Sequence, residues 1–217
     1  MSVYPPLDVR IATPRLELRG ATDARLEALA PLVAAGDAMA DPPPWDDPSA
    51  FYEPDPEVRV HAWLRSVWRG RSTVRPDLWR LSFVVFVDDE PVGQQDLTGH
   101  DFSDLGVVES TSWVATGWPR GGIGTEMRRA ILHLAFDGLG AREAQSEGAI
   151  DNVGSNAISE RLGYRRNGVA WATHRGTPVL GQRWRLTRDD WPRRGDIDLH
   201  GLAACRIALG IVAPSPG

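Results

Sequence analysis

A run of glycines between a strand-like and a helix-like segment constrains this chain more than any other feature. Residues 118–127 read WPRGGIGTEM, with three glycines in four positions. The preceding residues 107–115 are rich in β-branched side chains, and residues 127–134 place apolar side chains at helical spacing. A glycine-rich turn at the start of a helix exposes backbone N–H groups that bind anions. The run therefore predicts a phosphate-binding turn between a strand and a helix.

Two common phosphate-binding motifs do not fit this run. The loop of nucleotide triphosphatases needs Gly-x-x-x-x-Gly-Lys-[Ser/Thr], and all 24 basic residues of the chain are arginine. The dinucleotide fingerprint Gly-x-Gly-x-x-Gly accommodates Gly122 and Gly124 but has Met127 at the third glycine. The absence of lysine also excludes a Schiff-base mechanism. The turn by itself leaves the anion open, and an ordinary tight turn stays an alternative.

Size, charge and cysteine content narrow the class of protein. The chain has 217 residues and a formal net charge of −5, which fits one domain and argues against general nucleic-acid binding. Its one cysteine, Cys205, allows no internal disulfide, and no group of residues in the sequence resembles a zinc-ligand cluster. No apolar run approaches the roughly 18 residues of a membrane-spanning helix, and the start lacks a signal-peptide pattern. We therefore expect a cytoplasmic protein with no metal site and no membrane partner.

The order of the predicted elements indicates an α+β domain around one central sheet. Strands are predicted at residues 15–19, 81–87, 92–97, 107–115, 141–150, 169–175 and 181–187. Helices are predicted to begin at Thr22 or Asp23, at Asp55–Pro56, after the glycine run and at residue 155, and to end near Gly70, Gly138 or Gly140, and Gly163. The core is expected to include Trp63, Trp68 and Trp184.

Two segments read together resemble the GNAT superfamily of acyl-CoA-dependent N-acyltransferases. They are WPRGGIGTEMRRAILHLAF and, after a predicted strand, DNVGSNAISERLGYRRNG. The chain is most similar to the branch that contains ribosomal-protein alanine acetyltransferases, which its TPRLELR and ESTSWV segments also resemble. The resemblance covers about residues 13–191 and implies a GNAT-like single domain over residues 1–192, a mixed central sheet flanked by helices. Residues 193–217 are then a C-terminal tail, which we expect to contact another copy in a homodimer or higher homo-oligomer.

The resemblance assigns coenzyme-binding roles, because in this family the turn [Gln/Arg]-x-x-Gly-x-[Gly/Ala] binds the pyrophosphate of coenzyme A and an Asn-x-x-Ser motif follows. These roles fall on Trp113, Val114, Arg120, Gly121, Gly122, Ile123, Gly124, Thr125, Asn152 and Ser155. Pro119 stands where the family has Gln or Arg, which removes a side-chain donor and an N–H. Most of the binding is still expected from the amides of residues 121–125 and the helix end. Arg128 and Arg129 follow on the helix and are expected to be solvated, and contact with the phosphates is the alternative.

The resemblance also implies that a primary amine attacks the thioester directly and that coenzyme A leaves as a thiol. The amine must first lose a proton, since the pKa of an alkylammonium lies at about 10. Glu109, four residues before Trp113, is the expected base, and a merely solvated carboxylate is the alternative. Asp96 is the second candidate for the base, but it is expected rather to bind substrate or solvent. Ser159 occupies the position where many GNAT enzymes carry a tyrosine, and is expected to donate a hydrogen bond to the departing sulfur, whereas Tyr164 is expected in the core.

The sequence does not determine which acyl-CoA is the donor or which amine is the acceptor. Acetyl-CoA is the expected co-substrate, with no permanently bound cofactor. Some mycobacterial proteins that the chain resembles are associated with succinyl-CoA, and a non-catalytic acyl-CoA-binding module is a further alternative. The acceptor amine belongs to a protein N-terminus, a lysine or a small molecule. Trp45, beside Asp46 and Asp47 in a proline-rich loop, is expected to form a wall of the acceptor site.

Overall fold

A mixed β-sheet is the centre of the fold. The computed structural model describes residues 3–38, 51–118, 121–174, 176–192 and 195–211. Within these residues the strands are β1 Arg10–Ala12, β2 Glu17–Gly20, β3 Leu78–Val87, β4 Glu90–His100, β5 Val107–Val114, β6 Glu143–Ala149, β7 Arg165–His174, β8 Thr177–Thr187 and β9 Asp198–His200. Their spatial order is β7-β8-β6-β5-β4-β3-β2-β1-β9. The pairing of β5 with β6 is parallel, and the other described pairings are antiparallel.

Helices cover both faces of the sheet, as expected for an α+β domain. They are α1 Asp23–Ala35, α2 Pro56–Ser72, α3 Phe102–Leu105, α4 Ile123–His133, α5 Val153–Arg161 and α6 Leu202–Ala208. The α1 and α2 helices pack on one face around Trp63 and Val84, whereas α4 packs on the other face around Ile131 and Leu97. No helix in the described ranges is long and apolar enough to cross a membrane.

The predicted helix starts are confirmed by their caps. The Thr22 hydroxyl accepts a hydrogen bond from the Arg25 amide at the start of α1. The Asp55 carboxylate accepts two amide hydrogen bonds at the start of α2, with Pro56 in the first turn. These contacts satisfy amides that have no partner within the helix.

The α4 helix ends in an unusual turn. It runs into a π-helical turn at Leu134–Leu139 and stops at Gly140, whose φ of 84° favours glycine. The predicted apolar face of the helix is buried over its whole length, from Met127 to Leu134. This face anchors α4 under β4 and β5, and so fixes where the helix begins.

The C-terminal segment extends the sheet. Strand β9 pairs antiparallel with β1 of the same chain, and Ile197, Cys205 and Leu209 are buried in the main core. Neither β1 nor α6 was predicted from the sequence, because both elements are short. That residues 193–217 form a separate unit, or contact another copy, stays a prediction.

One of the three tryptophans expected in the core is not buried. Trp63 and Trp184 are buried, but the Trp68 residue is 45% exposed, so that expectation was wrong. Its indole Nε1 donates to Asp23 Oδ1 over 3.1 Å. Helical spacing placed Trp68 beside the apolar face of α2. The polar N–H of an indole, however, favours a position at the boundary between the core and solvent.

The fold makes a prediction about the single thiol. Cys205 is fully buried, and burial raises its pKa to about 12. Because the thiolate is the reactive form, the native protein should react with Ellman's reagent at less than about a hundredth of the rate of free cysteine. Protein unfolded in guanidinium should release one equivalent promptly. Fast reaction of the native protein would show that α6 opens readily.

Candidate active site

A cleft opens where two parallel strands separate. Strands β5 and β6 pair only from Val107 to Glu109 and from Glu143 to Gln145. Beyond this point β5 continues along β4 to Val114, and β6 continues along β8 to Ala149, without pairing to each other. The facing edges of the two strands therefore part and leave backbone groups available between them. Glu109 marks the closed end of the cleft.

The glycine turn lies at the open end of this cleft, after β5. Gly122 precedes the first residue of α4 with a φ of 88°, a conformation that favours glycine. The first helical hydrogen bond runs from the Glu126 amide to the Gly122 carbonyl, so the preceding amides of α4 have no helical partner. A Cβ on Gly124 would lie 3.3 Å from Ile158 Cδ1, so glycine lets α4 begin close to α5. This is the predicted geometry of an anion-binding turn.

The start of α5 forms the opposite wall, after β6. Asn152 caps the helix, its Oδ1 accepting from the Ser155 amide over 3.1 Å. Asn156, which the sequence analysis did not single out, donates to the carbonyl of Ala149 over 3.0 Å and accepts from Trp184 Nε1 over 2.9 Å. These bonds tie α5 to the end of β6. The motif Asn-x-x-Ser-Asn already held this residue, but its role depends on a tryptophan 28 positions away.

Ser159 lies beneath this wall. The residue is 1% exposed, and its hydroxyl donates to the Ser155 carbonyl over 3.3 Å. A hydroxyl has one proton, so Ser159 must release that carbonyl before it donates to a sulfur. Its predicted role stays a prediction.

The two predicted carboxylates share one face of the sheet. Glu109 pairs with Thr98, and Asp96 pairs with Thr111, so both side chains project toward the side covered by α1 and α2. Glu109 is exposed at the closed end of the cleft. Asp96 lies one register step further toward the open end. The accessible Glu109 carboxylate at the closed end of the cleft could take a proton from a molecule that enters from the α1–α2 side.

Asp96 belongs to a buried polar network. Arg80 Nη2 donates to its carboxylate over 2.6 Å, and Gln94 Nε2 lies 3.0 Å from each carboxylate oxygen. Gln94 in turn accepts from Trp63 Nε1 over 2.7 Å. The charge of Asp96 raises the pKa of Arg80 despite the opposing effect of burial. Asp96 is 4% exposed, so its carboxylate is committed to this network, and its predicted contact with substrate stays a prediction.

The remaining predicted contacts are divided between the cleft and the α1–α2 side. The Trp113 ring packs edge-on against Phe51 at 5.6 Å, so its side chain lines the α1–α2 side, while its main chain and that of Val114 border the cleft. Arg120 and Trp45 lie outside the described residues. Arg129 is not merely solvated: it pairs with Asp196 over 3.3 Å.

Arg128 is buried, contrary to expectation. It is 6% exposed, and its Nη1 lies 3.2 Å from Ser146 Oγ. Ser146 and Ser110 are the first residues of β6 and β5 after their pairing ends, both on the α4 side. The Tyr164 hydroxyl lies beside Arg128 and Ser110 without hydrogen-bond geometry, and burial raises its pKa to about 12. Among the described residues, no carboxylate forms an ion pair with Arg128.

Comparison with known proteins identifies this arrangement. The acetyltransferase (GNAT) domain matches residues 15–165. The chain belongs to the GNAT acetyltransferase family. It is therefore an acyl-CoA-dependent N-acyltransferase, with acetyl-CoA as the family's co-substrate, and the GNAT fold expected from the resemblance is confirmed.

Solved structures of the family have the same fold. Mycobacterium smegmatis RimJ in complex with CoA-disulfide is 20% identical, with a TM-score of 0.70 and coverage of 94% of this chain and 96% of that one. RimL, a ribosomal L7/L12 alpha-N-protein acetyltransferase in complex with coenzyme A, is 20% identical with a TM-score of 0.60, and the match covers 81% of this chain and 95% of RimL. A GCN5-related N-acetyltransferase from Brucella melitensis is 18% identical with a TM-score of 0.63, covering 84% and 80%.

The buried network of this GNAT domain can be tested by removing one charge. Asp96→Asn leaves the Arg80 guanidinium without its counter-charge, so the free energy of unfolding should fall by about 1–3 kcal/mol. Asp89→Asn is the matched control, because Asp89 pairs with Arg19 but is mostly exposed, and it should give no measurable change. Both are measured by urea denaturation. Equal stabilities would show that Asp96 does not hold the sheet and would favour its substrate-binding role.

Proposed function

We propose that this GNAT enzyme binds acyl-CoA in the cleft between β5 and β6 and transfers the acyl group to a primary amine in a ternary complex. The observation that carries the proposal is the early end of β5–β6 pairing, with the glycine turn at the open end and Glu109 at the closed end. In this arrangement the pyrophosphate contacts the amides of residues 121–125. The pantetheine arm runs between the strands beside Trp113 and Val114 and contacts Asn152 and Ser155, while Arg120 adds positive charge.

The reaction needs a base for the acceptor ammonium and a hydrogen-bond donor for the departing sulfur. The acceptor ammonium gives a proton to Glu109, directly or through water, and the neutral nitrogen attacks the thioester carbon. The new carbon–nitrogen bond forms, the carbon–sulfur bond breaks, and the thiolate takes up the proton that the nitrogen loses as the amide forms. Unpaired amides on the β6-facing edge of β5 stabilise the developing oxyanion. Ser159 donates to the departing sulfur once its hydroxyl turns from the Ser155 carbonyl.

The acceptor is proposed to be the α-amine of a protein N-terminus. The names of RimL and of a ribosomal-protein-serine acetyltransferase from Vibrio cholerae motivate this choice, and lysine side chains and small amines are the alternatives. The amine enters from the α1–α2 side, where Glu109 and Asp96 lie, and Trp45 forms part of the wall. We also propose that the enzyme acts in the cytoplasm, as a homo-oligomer, without binding nucleic acid.

A donor and acceptor panel tests the function. Purified enzyme is incubated with acyl-CoA thioesters and with peptides that carry either a free α-amine or only a free lysine, plus small amines. Coenzyme A release is followed with a thiol reagent, to which the buried Cys205 adds little background, and the product mass is measured. Acylation of α-amine peptides supports the proposal, whereas tight acyl-CoA binding without transfer to any amine would contradict it.

Glu109→Gln tests the base. The amide cannot accept the proton, so kcat at neutral pH should fall about 10²–10⁴-fold while the Kd for acyl-CoA stays unchanged. The deficit should shrink as the pH approaches the pKa of the acceptor, because more amine is then already neutral. Glu147→Gln is the control, since Glu147 lies on β6 in an exposed pair with Arg183. Unchanged kcat in Glu109→Gln would assign the proton to another acceptor.

A second candidate donor is favoured by the buried cation. Arg128 has no ion-pair partner among the described residues, and its Nε, the Tyr164 hydroxyl and Ser110 Oγ all lack hydrogen-bond partners there. A buried guanidinium without a counter-charge is unfavourable, whereas a carboxylate among these donors would satisfy it. Arg128, Tyr164 and Ser110 lie at the closed end of the cleft, just after the last β5–β6 residue pair. In the proposed complex the acyl chain of the donor reaches this place. A donor with a terminal carboxylate, such as succinyl-CoA, fits this chemistry.

The two donors predict different effects of Arg128→Met. If succinyl-CoA is the donor, the substitution should raise its KM at least about tenfold and leave acetyl-CoA within threefold, because only one acyl chain carries an anion. Arg129→Met on the same helix is the matched control. Equal effects on both donors would assign Arg128 to stability and leave acetyl-CoA as the donor.

A further inference from the structure

The turn between β1 and β2 forms several hydrogen bonds to the start of α4. Thr13 Oγ1 donates to Glu126 Oε1 over 2.6 Å, and Arg15 Nε donates to Glu126 Oε2 over 2.6 Å. The Arg15 amide also points at Glu126 Oε1, at 3.3 Å. Arg15 Nη1 donates to the Gly121 carbonyl over 2.8 Å. One arginine thus connects an acidic side chain of the helix with the main chain of the glycine turn.

Glu126 is a carboxylate in an unfavourable place for an enzyme that binds phosphates. It lies in the first turn of α4 and is 5% exposed. Burial would raise its pKa, but the hydrogen bonds from Thr13 and Arg15 and the charge of Arg15 lower it, so Glu126 is ionised at neutral pH. A fixed negative charge beside the helix N-terminus repels an anion bound at the same N-terminus.

The contact with Gly121 has a directional consequence. In a trans peptide the C=O and the following N–H point in opposite directions. Because the Gly121 carbonyl points at Arg15, the Gly122 amide points away from the β1–β2 turn. The same guanidinium therefore holds Glu126 on one side of the loop and turns an amide donor to the other side.

We propose that Arg15 is a positioning residue for coenzyme binding, which acts mainly by cancelling the charge of Glu126 and to a lesser extent by orienting the glycine turn, so that the turn accepts a pyrophosphate. The proposal rests on the proposed binding of acyl-CoA at this turn. In this role Arg15 acts through its contacts with Glu126 and the Gly121 carbonyl. Its side chain is 55% exposed, so its removal leaves no cavity in the core.

A charge role and a merely structural role predict different double-variant results. If Arg15 acts mainly by cancelling the Glu126 charge, Arg15→Met should weaken coenzyme A binding about tenfold or more, and Glu126→Gln in the same chain should restore it to within about threefold. If Arg15 only braces the loop, the double variant stays as weak as Arg15→Met, because neither chain has the bond to the Gly121 carbonyl.

The experiment measures Kd for coenzyme A by calorimetry in the wild type, Arg15→Met, Glu126→Gln and the double variant. Arg10→Met is the matched control, since Arg10 pairs with Glu17 on the same hairpin over 2.9 Å and does not contact the glycine turn. Thermal unfolding of each variant confirms that it is folded. Glu126→Gln alone removes the charge without removing Arg15, so it stays informative if Arg15→Met fails to fold, and it should bind coenzyme A at least as tightly as the wild type.

The affinity for dephospho-CoA and the salt dependence of binding show which phosphate group of the coenzyme the Arg15→Met substitution affects. Dephospho-CoA, which keeps the pyrophosphate but lacks the 3′-phosphate, should lose affinity by the same factor in Arg15→Met, and the loss should shrink at high salt. Weakened binding in Glu126→Gln, no rescue in the double variant, or a loss confined to intact coenzyme A would each overturn the proposal. Failure of the wild type to bind any coenzyme A thioester would instead refute the proposed function.

Discussion

The cleft of this enzyme depends on the short parallel pairing between β5 and β6. These strands share three residue pairs, while β5 pairs over seven residues with β4 and β6 over seven with β8. Each strand is therefore held from its outer side, and their inner edges separate without loss of either strand. The unpaired inner edges provide hydrogen-bonding groups, and in the proposed function a coenzyme arm satisfies them in the manner of an additional strand. Every other part of the site is placed relative to this separation.

Polar side chains are buried on both faces of the sheet where β5 and β6 separate. The two faces differ in whether the buried charges have partners. On the α1–α2 side, Asp96 and Arg80 compensate each other, which stiffens the sheet beneath the proposed acceptor. On the α4 side, Arg128 has no carboxylate partner in the described part of the chain. Buried groups that are fully satisfied rigidify a fold, whereas a buried cation without a counter-charge is costly, and in the proposed function an acyl carboxylate would compensate it.

Much of this organisation could be predicted from local sequence. The glycine run and the caps at Thr22 and Asp55 are local signals, and the helix starts they predicted are confirmed, whereas the helix predicted from residue 155 begins two residues earlier, at Val153. The burial of Arg128 could not be predicted, because it depends on serines of two distant strands that face α4. Strand β1 spans three residues, too few for a pattern, and it forms by pairing with β2 and with β9 near the chain end.

The position of β9 connects the C-terminal segment with the proposed coenzyme site. Strand β1 lies between β2 and β9, and the turn that grips Glu126 follows β1 directly. Without β9, a three-residue edge strand would support that turn from one side alone. Under the proposed function, a change that weakens the pairing of β9 with β1 would therefore loosen the turn that carries Arg15 and lower the affinity for coenzyme A.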